Sequence, residues 1–187
     1  MDLQISVFLL FILFTAGHSL SCYECKSVTG SCADQKLKTC PSGFSQCSST
    51  TAVAQISYFS TKVKAKDCIP ACQSGSLNLG YVKSTISCCD TDECNVQDAP
   101  DPSNIPNGRK CYYCDILSCS NKLICTGDED HCITATWIFG GRSMALKGCA
   151  SKSLCDGIEF DLGVVSFSCC EGNLCNGAQR VDQRWEL

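Results

Sequence analysis

Twenty cysteines fall into two series of ten, and this pattern constrains the fold more than any other feature of the chain. Each series opens with C-x-x-C and ends with C-C-x₄-C-N. The first consists of Cys22, Cys25, Cys32, Cys40, Cys47, Cys68, Cys72, Cys88, Cys89 and Cys94, followed by Asn95. The second consists of Cys111, Cys114, Cys119, Cys125, Cys132, Cys149, Cys155, Cys169, Cys170 and Cys175, followed by Asn176. Such self-similarity indicates a tandem of two homologous domains of about 70 residues each.

Cysteine makes up about 11 % of the 187 residues, which excludes a conventional enzyme built around one aliphatic core. A domain of this size buries only about 60 % of its unfolded surface and needs covalent or metal crosslinks to be stable. Five disulfides per domain would meet that need. The sequence therefore predicts a disulfide scaffold.

The N-terminus indicates the cellular compartment. Val7–Thr15 (VFLLFILFT) is a short apolar run followed by the small residues Ala16, Gly17 and Ser19. This arrangement is typical of a cleaved secretory signal, and it is shorter than the ~20 residues that span a bilayer. We predict a signal peptide over residues 1–19. Because the secretory route is oxidising, the cysteines should be paired.

The chain is predicted to divide into domains at residues 20–95 and 111–176. Between them Val96–Lys110 holds three of the five prolines, a composition typical of an extended and fairly stiff linker. A polar tail covers residues 177–187. Asn176-Gly177-Ala178 would suit a GPI attachment site, but no apolar segment follows it, so we expect a secreted protein.

Strand patterns dominate both domains, and no convincing helical periodicity occurs outside the signal. Ser57–Lys66 and Cys132–Phe139 alternate and are rich in β-branched and aromatic residues, and Val164–Ser168 is a third strand candidate. Gly140-Gly141 predicts a hairpin turn after Phe139. The predicted fold class is all-β.

These motifs resemble the Ly-6/uPAR domain, a three-finger fold in which three hairpins project from a disulfide-bonded palm. Spacing alone leaves many cysteine connectivities open. The resemblance implies the pairs Cys22–Cys47, Cys25–Cys32, Cys40–Cys68, Cys72–Cys88, Cys89–Cys94, Cys111–Cys132, Cys114–Cys119, Cys125–Cys149, Cys155–Cys169 and Cys170–Cys175. It also implies that Asn95 and Asn176 are structural palm residues whose amides hydrogen-bond the backbone.

The resemblance implies a binding function. Two-domain relatives include γ-type phospholipase A2 inhibitors, and Lys147-Gly148-Cys149 and the segment ICTGDEDHC (Ile124–Cys132) look like second-domain segments of these proteins and of the urokinase receptor. We expect a secreted, non-enzymatic inhibitor that binds an extracellular protein such as a secreted phospholipase A2. The alternative is a GPI-anchored, urokinase-receptor-like surface receptor or adhesion protein.

Other chemistries find little support in the sequence. Beyond the signal, His131 is the single histidine, so the C-x-x-C pairs are poor zinc sites, and neither G-x-S-x-G nor H-E-x-x-H occurs. No catalytic residue, metal or cofactor is predicted. Asp128-Glu129-Asp130 is a calcium candidate, but we interpret it as a solvated loop. A net charge of −4 speaks against nucleic acid as a partner.

Two groups of residues are candidates for partner contacts. Apolar, aromatic and basic side chains are predicted near the tips of the second fingers: Ile56, Tyr58, Phe59, Trp137, Ile138, Phe139 and Arg142. Packing within the hairpins would explain them equally well. Lys62, Lys64 and Lys66 alternate along one strand, and we interpret them as a solvated edge that opposes aggregation. The partner itself is not identifiable from the sequence.

Overall fold

The structure, a computed structural model, describes residues 19–56, 59–115, 117–139, 142–157 and 164–177. In the first half the strands are β1 (Ser21–Ser27), β2 (Lys36–Thr39), β3 (Gln46–Ile56), β4 (Phe59–Ile69), β5 (Gly75–Asn78) and β6 (Val82–Cys89), followed by a 3₁₀ turn at Cys94–Val96. In the second half they are β7 (Pro106–Tyr113), β8 (Asn121–Thr126), β9 (His131–Phe139), β10 (Arg142–Ala150) and β11 (Val164–Cys170), with a short helix α1 (Lys152–Gly157) between β10 and β11. We call the halves that contain the two cysteine series domain one and domain two.

The all-β prediction is confirmed, and each of the three predicted strands corresponds to one in the structure. The predicted Ser57–Lys66 overlaps β4, Cys132–Phe139 lies in β9, and Val164–Ser168 begins β11. Gly140-Gly141 falls outside the described residues, but β9 and β10 pair as far as Phe139 and Arg142, as a two-residue connection requires. The helix α1 was not predicted, because one and a half turns are too short to show helical periodicity.

Each domain is built on a long antiparallel hairpin that forms its second finger. In domain one β3 and β4 pair over eleven positions, from Gln46 opposite Ile69 to Ile56 opposite Phe59. In domain two β9 and β10 pair over nine positions. A third-finger strand lies against the free side of the first strand in each hairpin, β6 on β3 and β11 on β9.

Disulfides take the place of an aliphatic core. The buried cluster in domain one consists of Cys22, Cys40, Cys47 and Cys68, and that in domain two of Cys111, Cys125, Cys132 and Cys149. All twenty cysteines are bonded, in the ten pairs that the family resemblance implies. Both domains are therefore three-finger folds held at the palm.

Two asparagines make the same contacts in the two palms. Asn95 accepts a hydrogen bond from Tyr23 N at 2.8 Å and donates to the carbonyls of Tyr23 and Ser48, both at 2.9 Å. Asn176 accepts from Tyr112 N at 2.8 Å and donates to the carbonyls of Tyr112 and Ile133, both at 2.9 Å. Each buried amide thus ties the first finger to the second.

The two domains share one sheet. Among the described residues, nine strands join in the order β11-β9-β10-β5-β6-β3-β4-β1-β2, while β7 and β8 form a separate pair. The junction lies between β10 of domain two and β5 of domain one, where Cys149 is opposite Asn78 and Ala150 is opposite Leu77. The domains are therefore docked by strand pairing.

Candidate protein-binding surface

The finger tips expose large apolar side chains. Phe59, at the end of the domain-one hairpin, is 82 % exposed, and Leu117, on the first finger of domain two, is 93 % exposed. Tyr81, at the tip of the third finger of domain one, is 40 % exposed. Because rigid hairpins hold these side chains in solvent, they can contact a partner without prior rearrangement.

The domain-two hairpin carries a second apolar group. Ile138 on β9 is 49 % exposed and Met144 on β10 is 51 % exposed. Met144, Leu117 and Tyr81 were not among the predicted contact residues, because single apolar residues outside an aromatic cluster give no clear signal in a sequence.

The predicted candidates are placed as follows. Phe59 and Ile138 are exposed, as a role in binding requires. The backbone of Ile56 pairs with Phe59, and Trp137, Phe139 and Arg142 lie in the β9–β10 ladder, with Trp137 opposite Met144 and Phe139 opposite Arg142. Tyr58 and the side chains of Ile56, Trp137, Phe139 and Arg142 lie outside the described part of the chain.

The interpretation of Lys62, Lys64 and Lys66 as a solvated edge is wrong. Lys62 Nζ lies 2.7 Å from Asp101, and Lys64 Nζ lies 2.6 Å from Asp98. Lys66 is only 1 % exposed, and its Nζ lies 2.9 Å from the other oxygen of Asp98. The hydrogen bonds from Lys64 and Lys66 hold the pKa of the Asp98 carboxyl below its ordinary value. The lysines therefore fasten the interdomain segment to domain one.

That interdomain segment is also held by its backbone. Ala99 is buried, its N donates to Ser49 Oγ at 2.9 Å, and its carbonyl accepts from Thr51 Oγ1 at 2.6 Å. Strand β7 begins at Pro106, within the predicted linker. A buried, hydrogen-bonded segment of this kind fixes the path of the chain between the domains.

The interpretation of Asp128-Glu129-Asp130 as a solvated loop is also wrong. Glu129 is only 2 % exposed, and its carboxylate accepts from Thr126 N at 2.7 Å, Thr126 Oγ1 at 3.1 Å and Asn78 Nδ2 at 3.2 Å. Burial raises the pKa of this carboxyl, partly offset by those donors. Asp128 accepts a hydrogen bond from Ser76 Oγ. Since Ser76 and Asn78 belong to β5, the acidic segment is part of the domain interface.

Two glycines allow the strands to approach at this interface. A Cβ on Gly148 would lie 2.1 Å from the carbonyl oxygen of Asn78, and one on Gly75 would lie 2.2 Å from Ser151 Oγ. Both contacts are far below van der Waals distance. Lys147-Gly148-Cys149 and Ile124–Cys132, which the sequence singled out by resemblance, thus meet domain one at the same junction.

No helix among the described residues is long and apolar enough to cross a membrane.

The comparisons with known proteins agree with the fold. Residues 18–97 match the model of the u-PAR/Ly-6 domain family, and residues 109–176 match that of the snake toxin and toxin-like protein family. The urokinase plasminogen activator surface receptor of Bos taurus is 30 % identical over 190 residues, which covers 88 % of this chain and 56 % of the receptor. The corresponding receptor of Mus musculus is 29 % identical over a similar range.

A second group of relatives is of similar length to this chain. The gamma-type phospholipase A2 inhibitor of Gloydius brevicaudus siniticus is 30 % identical over 170 residues, covering 79 % of this chain and 82 % of the inhibitor. By contrast, the chain spans little more than half of the receptors. On its cysteine pattern, its fold and these similarities, the chain belongs to the Ly-6/uPAR family of three-finger domain proteins.

Proposed function

We propose that this protein acts outside the cell as a non-enzymatic binding protein that forms a stoichiometric complex with another protein. The observation that carries this proposal is the exposure of Phe59 and Leu117 at the tips of fingers whose base is fixed by disulfides. Large apolar side chains at such positions are typical interface anchors.

The docked domains support this proposal. Strand pairing between β10 and β5 and the buried carboxylate of Glu129 hold the two sets of fingers in one arrangement. A surface that is rigid before binding loses little conformational entropy on binding, so more of the contact energy is available as affinity.

The first candidate partner is a secreted phospholipase A2. The support is the similarity to the gamma-type phospholipase A2 inhibitor of Gloydius brevicaudus siniticus, which extends over 82 % of that protein. In this role the protein would inhibit by covering the enzyme, and it would need no catalytic residue of its own.

The second candidate is a role as a receptor or adhesion protein at the cell surface, held by a GPI anchor. The support is the similarity to the urokinase plasminogen activator surface receptors, which extends over 88 % of this chain. The candidate partner is then a plasminogen activator of the urokinase type.

Surface plasmon resonance on the immobilised, oxidised protein separates the two candidates. A secreted phospholipase A2 and a urokinase-type plasminogen activator are passed over it in turn, and phospholipase activity is measured with increasing amounts of the protein. Saturable 1:1 binding accompanied by loss of activity supports the inhibitor. Binding of the plasminogen activator alone supports the receptor, and no binding of either contradicts both candidates.

Variants of the second finger locate the contact. We expect Trp137→Ala or Phe139→Ala to weaken binding about 30-fold, because truncating a central aromatic anchor costs about 2 kcal/mol. Leu37→Ala is the matched control, since Leu37 is an exposed apolar residue on β2 rather than at a tip. Normal secretion and unchanged binding of both aromatic variants would place the interface elsewhere, and Phe59→Ala would then be examined.

A further inference from the structure

The outer edge of β10 is open over most of its length. On one side β10 pairs with β9 over nine positions, but on the other it pairs with β5 only at Cys149 and Ala150. No strand among the described residues pairs with the stretch from Ser143 to Lys147 on this side. Ser143, Met144 and Ala145 are exposed, so the edge is accessible to solvent.

The hydrogen-bonding positions of this edge follow from its pairing with β5. Ser151 N donates to the carbonyl of Ser76 at 2.9 Å, and Cys149 is opposite Asn78 in the same ladder. Because hydrogen-bonded pairs alternate along an antiparallel ladder, the odd-numbered residues of β10 direct their N–H and C=O groups outward. Ser143, Ala145 and Lys147 therefore offer three N–H and three C=O groups in register with β5.

This edge lacks the protection that free edges usually carry. The terminal strand of the same sheet, β2, has lysines at two of its four positions, Lys36 and Lys38. The stretch Ser143–Leu146 reads Ser-Met-Ala-Leu, with no charge and no proline. An accessible, uncharged edge invites another strand, since natural sheets block edges that are meant to stay free.

We propose that the edge of β10 from Ser143 to Lys147 accepts an extended, acidic segment of the partner protein as an additional strand. This inference rests on the proposed function and adds its binding mode. The added strand would continue the line of β5 and extend the ladder that already joins the two domains. It would end where Asn78 occupies the position opposite Cys149, which leaves room for about six residues, or roughly 20 Å of extended chain.

Charge complementarity supports an acidic segment. Cys111–Asn176 carries four basic and eight acidic residues, a net charge of −4. The hairpin His131–Ala150 nevertheless contains Arg142 and Lys147 and no aspartate or glutamate. The exposed side chain of Met144 would lie beside one face of the added strand, so an apolar residue is expected there.

A second copy of the chain fits this edge poorly. Symmetric antiparallel pairing that used all three outward positions would be centred on Ala145. The residue before Arg142 in the second copy would then lie opposite Cys149, where Asn78 already pairs. An unconstrained segment of another protein can leave the sheet before that point.

The test uses linear seven-residue peptides displayed on phage and selected on the immobilised wild-type protein. Selected peptides are synthesised, and their affinity is measured for wild type, Ala145→Pro and the matched control Ala145→Thr. Proline removes the outward N–H of residue 145 but no hydrogen bond to β9, whereas threonine keeps that N–H. Unaltered secretion of the variants shows that they fold. If Ala145→Pro is not secreted, Ser143→Pro is used in its place, with Ser143→Thr as its control.

We expect the selected peptides to be rich in acidic and β-branched residues. Ala145→Pro should weaken them by about tenfold or more, and Ala145→Thr by less than about threefold. Bound peptide should also slow deuterium exchange at the amides of Ser143, Ala145 and Lys147. Failure to select any peptide, equal affinity for the proline variant, or protection confined to other amides would overturn the inference.

The same variants distinguish this inference from the proposed function. If Ala145→Pro binds a phospholipase A2 or a plasminogen activator as wild type does, while Trp137→Ala does not, the protein binds through its tips and the edge inference fails alone. If peptides bind the edge but neither protein binds wild type, the candidate partners fail and the edge inference stands.

Discussion

The second fingers of the two domains are built on equivalent disulfides but have different neighbours. In domain one the outer edge of β4 is covered by β1 of the same domain, with Cys25 opposite Lys66 and Ser27 opposite Lys64. In domain two the equivalent strand β10 pairs instead with β5 of the other domain, and β7 joins only β8. The disulfide frame therefore determines the fold of each domain, whereas residues at the strand edges determine what covers it.

Two pairs of equivalent positions show how this difference arises. The residue before the cysteine that ends the hairpin is Asp67 in domain one and Gly148 in domain two, and only glycine lets β5 approach. Three residues before the cysteine that begins the hairpin stand Phe44 and Glu129. Phe44 is exposed, whereas Glu129 is buried against Asn78 of β5.

The largest effect should be the same in both domains, because it concerns the shared palm. We expect Asn95→Ala and Asn176→Ala each to lower the free energy of unfolding by about 3 kcal/mol, since each removes three buried hydrogen bonds worth about 1 kcal/mol apiece. Urea unfolding of the oxidised protein measures this, with Asn104→Ala as an exposed control. A large effect in one domain only would show that the palms are not equivalent.

Gly148→Val should separate the domains without unfolding them. Its Cβ would meet the carbonyl of Asn78, so the β10–β5 ladder should open at a cost of about 2 kcal/mol. Small-angle X-ray scattering should then show a larger radius of gyration. Asp67→Val at the equivalent position should leave the radius unchanged, because β5 does not approach that strand. An unchanged radius for Gly148→Val would contradict docking through this ladder.

Asp98→Ala should release the interdomain segment from domain one. Lys66 would keep only its bonds to Gln35 Oε1 and the Val96 carbonyl, so we expect a loss of about 1 kcal/mol, reduced by the partial exposure of Asp98. Limited proteolysis should leave wild type intact between Val96 and Pro106 and cleave the variant there. Asp101→Ala is the control, since its partner Lys62 is more exposed than Lys66. Cleavage of wild type at the same rate as Asp98→Ala would disprove the latch.

The smallest effect is a pH dependence present only in domain two. Burial raises the pKa of Glu129 above its ordinary value of 4.5, so the protonated acid is the form that the fold favours. Its contribution to stability is full below that ordinary value and is lost as the pH rises through the raised pKa. Wild type should therefore lose stability relative to Glu129→Gln over that interval, by less than about 1.4 kcal/mol for each unit of pKa shift.

Thermal unfolding from pH 4 to 8, compared between wild type and Glu129→Gln, measures this difference. Asp128, Asp130, His131 and Lys83 also lie near this carboxyl or on its segment, and they titrate equally in both proteins. Phe44→Gln at the equivalent position should leave the pH profile of wild type unchanged. Parallel profiles for wild type and Glu129→Gln would show that the buried carboxyl does not titrate in this range.

Much of the fold could be predicted from the chain because covalent crosslinks and strand patterns are local or nearly local features. The cysteine spacing and the closing C-N motif led to two three-finger domains, and alternation placed β4, β9 and β11 within a few residues. The candidate site was predicted less well. Phe59 and Ile138 are exposed as expected, but Met144 and Leu117 were missed, because nothing in a sequence distinguishes an exposed apolar residue from one in a thin core.

The charged residues show where prediction from the sequence failed. Lys62, Lys64 and Lys66 resembled a solvated edge, and Asp128-Glu129-Asp130 resembled a solvated loop, because charged residues are mostly exposed. In the structure Lys66 and Glu129 are among the most deeply buried side chains, each paired with a segment distant in sequence. Burial of a charge depends on such partners, and a partner more than 30 residues away is not visible in a local pattern.

The amino-acid sequence by itself therefore determined the repeat, the strands of each domain and the disulfide frame, since these depend on cysteine spacing and on side chains close together along the chain. The tertiary structure alone decided that β5 pairs with β10, that Glu129 is buried between the domains, and that the edge of β10 beyond Cys149 is open. These features depend on which distant strands meet. The physical reason is that backbone groups pair with any strand that can approach, and approach is decided by the side chains, or the glycines, that face each other at the junction.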